Sequence, residues 1–408
     1  MTATERGSFL TRAATRLARR SKAFEVSPWS AAWEAIADHP DGIYFGNGAP
    51  APEVVPLERL KMAAARAWSE AGDSLDYGEL EGYAPLRELI AERMKLRGVS
   101  VSPSDIMVTN GSQQGIDLIA KLFIDPGDAI IVEGPTYIGA MQVFDAYEAE
   151  YVVAPVDDEG IDVEGLARLL ASTDVRPKLL YTVPTFQNPT GTSLSPARRA
   201  ALLELSREYG FVVVEDDPYG ELYYDRPPEP ALRAEDPSVM YLGTFSKTIA
   251  PALRVGWVIV PPALMDLMLM AKEGADIHTN RVVMRTVYHA AHGFLDEHVA
   301  DLRTMYRRRR DALLEGLREH APEGVRWITP RGGFFVWVEL PNHLNADHLL
   351  PIAAAHGVAF LPGAWFYPGV ERPASGLRLS FSALTAERIA EGTRRLGAAF
   401  QKYLALEG

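Results

Sequence analysis

Lys247 stands in the stretch GTFSKTIAPALRVGW, Gly243 to Trp257, flanked by Thr244, Ser246 and Thr248. Arg254 follows seven positions on, just ahead of the apolar run VGWVIV. An amine can attack an aldehyde carbon to form an imine, and hydroxyls beside a guanidinium suit a phosphate. Pyridoxal 5'-phosphate carries both groups. An ordinary solvated lysine in a loop fits the same residues, so the reading depends on what else the chain brings to this lysine.

Several other stretches end in polar residues that could meet it. DIMVTN (Asp105 to Asn110) reads as a buried strand running into GSQQGIDLIAKLF, a small polar turn that opens an amphipathic helix. There Ser112 and Gln113 sit at a helix N-terminus, where free N–H groups and the helix dipole can hold an anion, or where a plain cap closes the helix. Tyr137 stands just past the strand Ala129 to Val132, and Asn188 lies in the dense turn PTFQNPTG after KLLYTV. FVVVEDDPYGEL ends a near-continuous apolar strand in two carboxylates, Asp216 and Asp217, with Tyr219 three residues past the first. Gly46 and Gly48, in IYFGNGAPAPE, would let backbone approach a ligand closely; a domain-entry turn has the same composition. Tyr77 and Tyr83 lie in a Gly-rich segment before a helix that starts near Pro85.

From about residue 105 to 260 strands alternate with helices, the pattern of a mostly parallel sheet covered on both faces. Ligands of such sheets bind beyond the strands' C-terminal ends. Ser112, Tyr137, Asn188, Asp216 and Lys247 are each delivered there. Beyond Pro262 the pattern changes to long helical stretches, about 263–273 and 280–319. Then come an alternating strand in GGFFVWVEL, the run GLRLSF and a closing helix from Thr385, which together suggest a smaller α+β unit.

The 408 residues are 47% hydrophobic, enough for a large core. There is no cysteine, which excludes disulfides, thiolate metal sites and cysteine nucleophiles. A net charge of -13 argues against nucleic-acid binding, and no apolar run is long enough to span a bilayer. The basic N-terminus has no apolar core of a secretory signal and reads as a mobile or partner-clasping arm, so a cytoplasmic protein is expected. His289 and His292 share a helical face but lack a third ligand, so no metal site is expected.

The ordered string GSQQGIDL, PTY, NPTG, EDDPYGEL, SKTIAPALRVGW and RLSF resembles fold-type I pyridoxal-phosphate aminotransferases of class I/II. It is most similar to the branch of α-aminoadipate and kynurenine aminotransferases. The resemblance implies an aspartate-aminotransferase-like α/β fold: a large domain with a mostly parallel central sheet covered by helices, plus a smaller α+β domain. The expected division is an N-terminal arm with part of the small domain (1–55), a large cofactor-binding domain (56–285) and a C-terminal small domain (286–408). It implies ping-pong transfer of an amino group from an L-amino acid to a 2-oxo acid, with Lys247 holding the cofactor as an internal aldimine and moving the substrate proton. Asp216 would pair with the pyridine nitrogen, with Asp217 as its rival on the opposite strand face. Asn188 and Tyr219 would bond the phenolic oxygen and Tyr137 would stack on the ring. Ser112, Gln113, Thr244, Ser246 and Arg254 would hold the phosphate. Tyr77 would reach the cofactor of a neighbouring subunit in a homodimer, and Arg378 in GLRLSF would fork the substrate α-carboxylate.

One residue departs from that branch. Asn47 stands in GNGAP where relatives have two adjacent glycines, so Asn47 and Gly48 are expected to shape substrate choice. Arg12, Arg16, Arg19 and Arg20 are candidates for a side-chain carboxylate, and Trp29, Phe366 and Tyr367 for an apolar pocket. Other pyridoxal-phosphate chemistry on the same fold (a lyase, decarboxylase, racemase or oxidase) is the competing function. A ligand-sensing regulator domain is a third reading, and it would need a winged-helix segment ahead of Phe45.

Overall fold

The computed structural model describes residues 16–24, 28–70, 72, 75–341, 343–369 and 372–407. Its strands, in chain order, begin with β1 (Ile43–Tyr44), β2 (Ile106–Thr109), β3 (Ala129–Gly134), β4 (Glu150–Asp157), β5 (Gly160–Ile161), β6 (Leu179–Thr182) and β7 (Val212–Asp216). They continue with β8 (Met240–Thr244), β9 (Gly256–Ile259), β10 (Arg326–Trp327), β11 (Phe335–Glu339), β12 (Val358–Ala359), β13 (Leu361–Pro362) and β14 (Gly376–Ser380).

Eight of these form one sheet in the order β2-β9-β8-β7-β6-β3-β4-β5. β4, β3, β6, β7 and β8 pair in parallel, while β9 runs antiparallel to both its neighbours. The apolar runs are nearly unbroken because both faces are buried. Ile130, Val132, Tyr181 and Val214 pack into one helix-covered layer, and Ile131, Leu180 and Val213 into the other. Asp162 caps the helix Val163–Ala171 through the Gly165 N–H at 2.9 Å. Ser195 occupies the N-cap position of Pro196–Tyr209, but its side chain makes no capping bond.

A smaller antiparallel sheet, β10-β11-β14-β13, follows, and β1 pairs in parallel with β12, which ties residues 43–44 to the C-terminal part of the chain. Phe186, Tyr219 and Leu222 from the large sheet's loops share one core with Phe334, Phe335 and Leu377. Each such side chain removed from water contributes about 1.5–3 kcal/mol, so this shared core holds β14 over the large sheet's edge. The expected single helix over 280–319 is two, Arg281–Ala291 and Leu295–His320. Gly293, at φ 68°, makes the break, in a conformation that glycine adopts without Cβ strain.

Candidate active site

β3, β6, β7 and β8 all end on the same edge of the sheet, and a cavity of about 590 Å³ opens there. Its wall includes Ser112, Gln113, Tyr137, Asn188, Asp216, Tyr219, Thr244, Ser246, Lys247, Arg254 and Arg378, together with Asn47 and Gly48.

Lys247 lies in the turn after β8. Its Nζ donates to the Gly48 carbonyl at 3.2 Å and stands 6.0 Å from the centre of the Tyr219 ring. Burial pushes its ammonium down to about 8; Asp216 opposes this, and Arg254 and Arg378 add to it. Asp216 ends β7, 3% exposed, where burial pushes its carboxyl up to about 7 against the pull of Tyr181 and Lys247. Its Oδ2 accepts from the Tyr181 hydroxyl at 2.7 Å, while its buried Oδ1 has no partner among the described residues. Asp217 is absent from the cavity wall. It is paired with Arg97 Nε at 2.6 Å and accepts from the Tyr241 hydroxyl at 2.9 Å.

Arg378 is 1% exposed in β14, between β11 and β13. Nη1 donates to Asn188 Oδ1 at 2.8 Å and Nη2 to the Gly46 carbonyl at 2.6 Å; Nε has no partner among the described residues. The guanidinium carbon lies 4.2 Å from the Phe335 ring centre and 5.1 Å from that of Phe366. No carboxylate among the described residues pairs with it, and burial pushes its pKa down to about 10. A buried cation left without a counter-charge is costly unless something supplies one.

At the other end of the cavity the helix Ser112–Phe123 begins, with Gly111 ahead of it at φ 75°. That φ favours glycine, and a Cβ there would lie 2.3 Å from Arg254 Nη2 and push the guanidinium aside. Arg254 itself has φ 52°, a left-handed conformation costing about 1–2 kcal/mol for an L-residue. That geometry turns its guanidinium toward Ser246 Oγ (3.4 Å) and the Asn110 carbonyl (3.4 Å). Thr244 Oγ1 donates to Ser246 Oγ at 2.9 Å. Gln113 Nε2 donates to the Gly139 carbonyl at 2.5 Å, and the Tyr137 hydroxyl to Gln113 Oε1 at 3.4 Å. Two hydroxyls, a guanidinium and a helix N-terminus thus face one spot, a cradle for a phosphate. Burial raises the Tyr137 hydroxyl to about 12 and raises that of Tyr219 as well.

Tyr77 lies outside this cavity. It is 76% exposed, its ring edge-on to His278 at 6.0 Å, beside a second depression lined by Trp68, Leu75 and Leu253. The Asn47 side chain accepts from the Ala49 N–H at 2.9 Å and so closes its own turn. Arg19 pairs with Glu148. Arg19 and Arg20 line a neighbouring cavity that shares Gln142 with the first, and Tyr367 lines it too. Arg16 is exposed; Arg12 and the Trp29 side chain lie outside the described residues. The sequence reading missed Tyr44 and Phe335 in the wall and Tyr181 behind Asp216. Tyr181 was visible only as a hydroxyl inside an apolar run, whose need for a buried partner was the available signal.

These groups fit pyridoxal phosphate: an amine for its aldehyde, an unpartnered carboxylate oxygen for its ring N–H, and an anion cradle for its phosphate. Such a site at the C-terminal edge of this sheet defines a fold-type I pyridoxal-phosphate enzyme.

The comparisons narrow the class. The family described as "Aminotransferase class I and II" matches residues 40–396, and the chain belongs to that family. It is 41% identical over 369 residues to the aromatic-amino-acid aminotransferase 1 of Thermococcus litoralis, covering 88% of each chain. It is 40% identical over 379 residues to the 2-aminoadipate transaminase of Thermus thermophilus, covering 91% of this chain and 93% of that one. The crystal structure of an α-aminoadipate aminotransferase from Thermus thermophilus, complexed with a phosphopyridoxyl-leucine adduct, superposes with a TM-score of 0.88 at 37% identity. That match covers 96% of this chain and 99% of that one. The protein is therefore a pyridoxal-phosphate-dependent transaminase with the aspartate-aminotransferase-like fold.

Proposed function

We propose that Lys247 is the residue that binds pyridoxal 5'-phosphate covalently, and that Arg378 receives the substrate α-carboxylate in the same cavity. The observation that carries this reading is the presence, on one cavity wall, of a half-buried amine and a buried guanidinium that has no counter-anion among the described residues. The bound cofactor supplies a carbonyl for amine exchange and a ring that withdraws electrons from the substrate Cα. Lys247, with its ammonium destabilised by burial, would be the base that takes the substrate Cα proton on Nζ. Asp216 Oδ1 would accept the ring N–H and keep the ring charged. Asn188 Oδ1 is engaged by Arg378, which leaves the Asn188 amide N–H groups to donate, with the Tyr219 hydroxyl, to the phenolic oxygen. Tyr137 would stack on the ring, and Ser112, Gln113, Thr244, Ser246 and Arg254 would hold the phosphate end in the cavity that Lys247 also lines.

The cavity wall near Arg378 is aromatic, with Tyr44 and Phe335, and Trp33 stands edge-on to Tyr44 at 5.6 Å. This supports an aromatic or other apolar amino-acid substrate, with Asn47 and Gly48 setting the rim. A dicarboxylic substrate would draw on Arg19 or Arg20 across Gln142. The exposed Tyr77, with Trp68 and Leu75, supports a homodimer in which Tyr77 serves the partner's site. We place the chain in the cytoplasm and in amino-acid metabolism, and divide it at residues 55 and 285; no described helix is long and apolar enough to cross a membrane. The test is a panel of L-amino acids, aromatic and dicarboxylic, offered with 2-oxoglutarate and with pyruvate. Release of the matching 2-oxo acid from the aromatic members, abolished by Lys247→Ala, is the expected result. Activity that survives Lys247→Ala would overturn the assignment.

A further inference from the structure

Four acids are buried at the cavity edge of the large sheet, and they are neutralised differently. Asp217 pairs with Arg97, and Glu215 lies 4.0 Å from Arg199. Asp216 faces the cavity. Glu133, at the end of β3 and 2% exposed, pairs with no cation among the described residues. It accepts only from neutral donors: the Thr182 hydroxyl at 2.7 Å, the Val183 N–H at 3.2 and 3.3 Å, and Gln187 Nε2 at 2.9 Å. Burial pushes its carboxyl up to about 7, and these donors oppose the shift.

Gln187 is the link to the active site. It is 2% exposed, and every polar atom of its side chain is used. Nε2 also donates to the Pro135 carbonyl at 2.7 Å, while Oε1 accepts from the Thr190 N–H at 2.9 Å and the Thr190 hydroxyl at 2.5 Å. Its backbone closes the same loop, donating to the Thr192 carbonyl at 2.8 Å and accepting from the Gly191 N–H at 2.7 Å. The next residue is Asn188, whose side chain holds Arg378. A buried carboxylate is an expensive way to brace a loop, since an uncharged acceptor would avoid the desolvation. Glutamine at 133 would offer one oxygen to these donors and turn an N–H against Val183 or Gln187.

We propose that Glu133 is a positioning residue for substrate binding: through Gln187 it fixes the Asn188 turn, and with it the orientation of the Arg378 fork. This rests on the reading of Arg378 given above.

The test compares steady-state KM and kcat, with L-phenylalanine and with L-2-aminoadipate as donors and 2-oxoglutarate as acceptor, across four variants of the holoenzyme. Glu133→Gln should keep its cofactor absorbance and raise the amino-acid KM about tenfold, the weight of one misdirected hydrogen bond, with kcat altered much less. Gln187→Ala, which removes the link itself, should raise the amino-acid KM at least as much, again with kcat altered much less. Glu215→Gln, a buried acid away from the Asn188 turn, should lower the melting temperature without moving KM. Arg378→Ala should raise KM most. If Glu133→Gln does not fold, Gln187→Ala carries the same KM prediction. An unchanged KM in Glu133→Gln or in Gln187→Ala, or a rise matched by Glu215→Gln, would overturn the proposal while Arg378→Ala still raises KM. If Arg378→Ala leaves KM unchanged, the site reading itself fails.

Discussion

Arg378 offers a perturbation whose stability and binding effects separate. Replacing it with methionine keeps an unbranched side chain between Phe335 and Phe366 and removes the charge. Burial lowers the arginine's pKa from 12.5 to about 10, so holding it charged costs about 3 kcal/mol in the ligand-free fold. The substitution gives up two charge-assisted hydrogen bonds, to Asn188 and Gly46, worth about 1.5 kcal/mol each, and two cation–ring contacts of about 0.5 kcal/mol each. The two sides nearly cancel. Arg378→Met should therefore change the unfolding free energy of the cofactor-free protein by no more than about 1 kcal/mol, measured by urea titration. Substrate binding has no such offset. A buried carboxylate deprived of its guanidinium loses about 2–5 kcal/mol, so the amino-acid KM should rise roughly 30-fold to several thousand-fold. A purely structural arginine would behave the other way, and destabilisation by more than about 3 kcal/mol with an unchanged KM would refute the reasoning.

Asp216→Asn should lower turnover by at least about a hundredfold, roughly 3 kcal/mol of transition-state stabilisation, whereas Asp217→Asn should act chiefly on stability by stranding Arg97; steady-state kinetics beside thermal melts check both. Asp216's folded pKa is raised, from 3.8 to about 7, so its favourable contribution is complete below about pH 4 and is lost as pH rises through 7. Cofactor-free wild type should accordingly lose more stability between pH 5 and 8 than cofactor-free Asp216→Asn, and equal slopes would contradict the shift. Capture of pyridoxal phosphate by the cofactor-free enzyme should speed up as pH climbs through about 8, because Lys247 Nζ reacts as the neutral amine; stopped-flow absorbance gives the midpoint, and one near 10.5 would contradict it. Gly111→Ala should weaken cofactor affinity roughly tenfold or more, about 1.4 kcal/mol, because its Cβ would displace Arg254 Nη2; equilibrium dialysis measures it.

Much of this site was legible because each chemical residue follows an apolar run. In a parallel sheet every such run ends at one edge, so Tyr137, Asn188, Asp216 and Lys247 had to converge once the alternation was recognised. Alternation along a strand put Asp216 and Asp217 on opposite faces, and only the family resemblance, with its Asp-x-x-Tyr spacing to Tyr219, chose Asp216; neither told what would absorb the other charge, because Arg97 is distant in sequence. Phe335 and Tyr44 were missed for a related reason. They come from a different sheet and a two-residue strand, and only the packing of the shared core brings them over the large sheet's edge. The stretch 280–319 read as one helix because periodicity persists on both sides of Gly293, and a single glycine in a helical pattern does not announce a reversal. Asn47, expected at the substrate rim, does line the cavity, yet its side chain is also spent on its own turn. Tyr77 faces outward from this chain, and its proposed role at a neighbouring subunit came from the family resemblance rather than from any residue pattern.

The account turns on Lys247 as the covalent attachment point. Enzyme loaded with pyridoxal 5'-phosphate, reduced with borohydride and digested, should yield a single phosphopyridoxyl-bearing peptide, the one containing Lys247. The mark appearing on any other lysine, or on none, would contradict it.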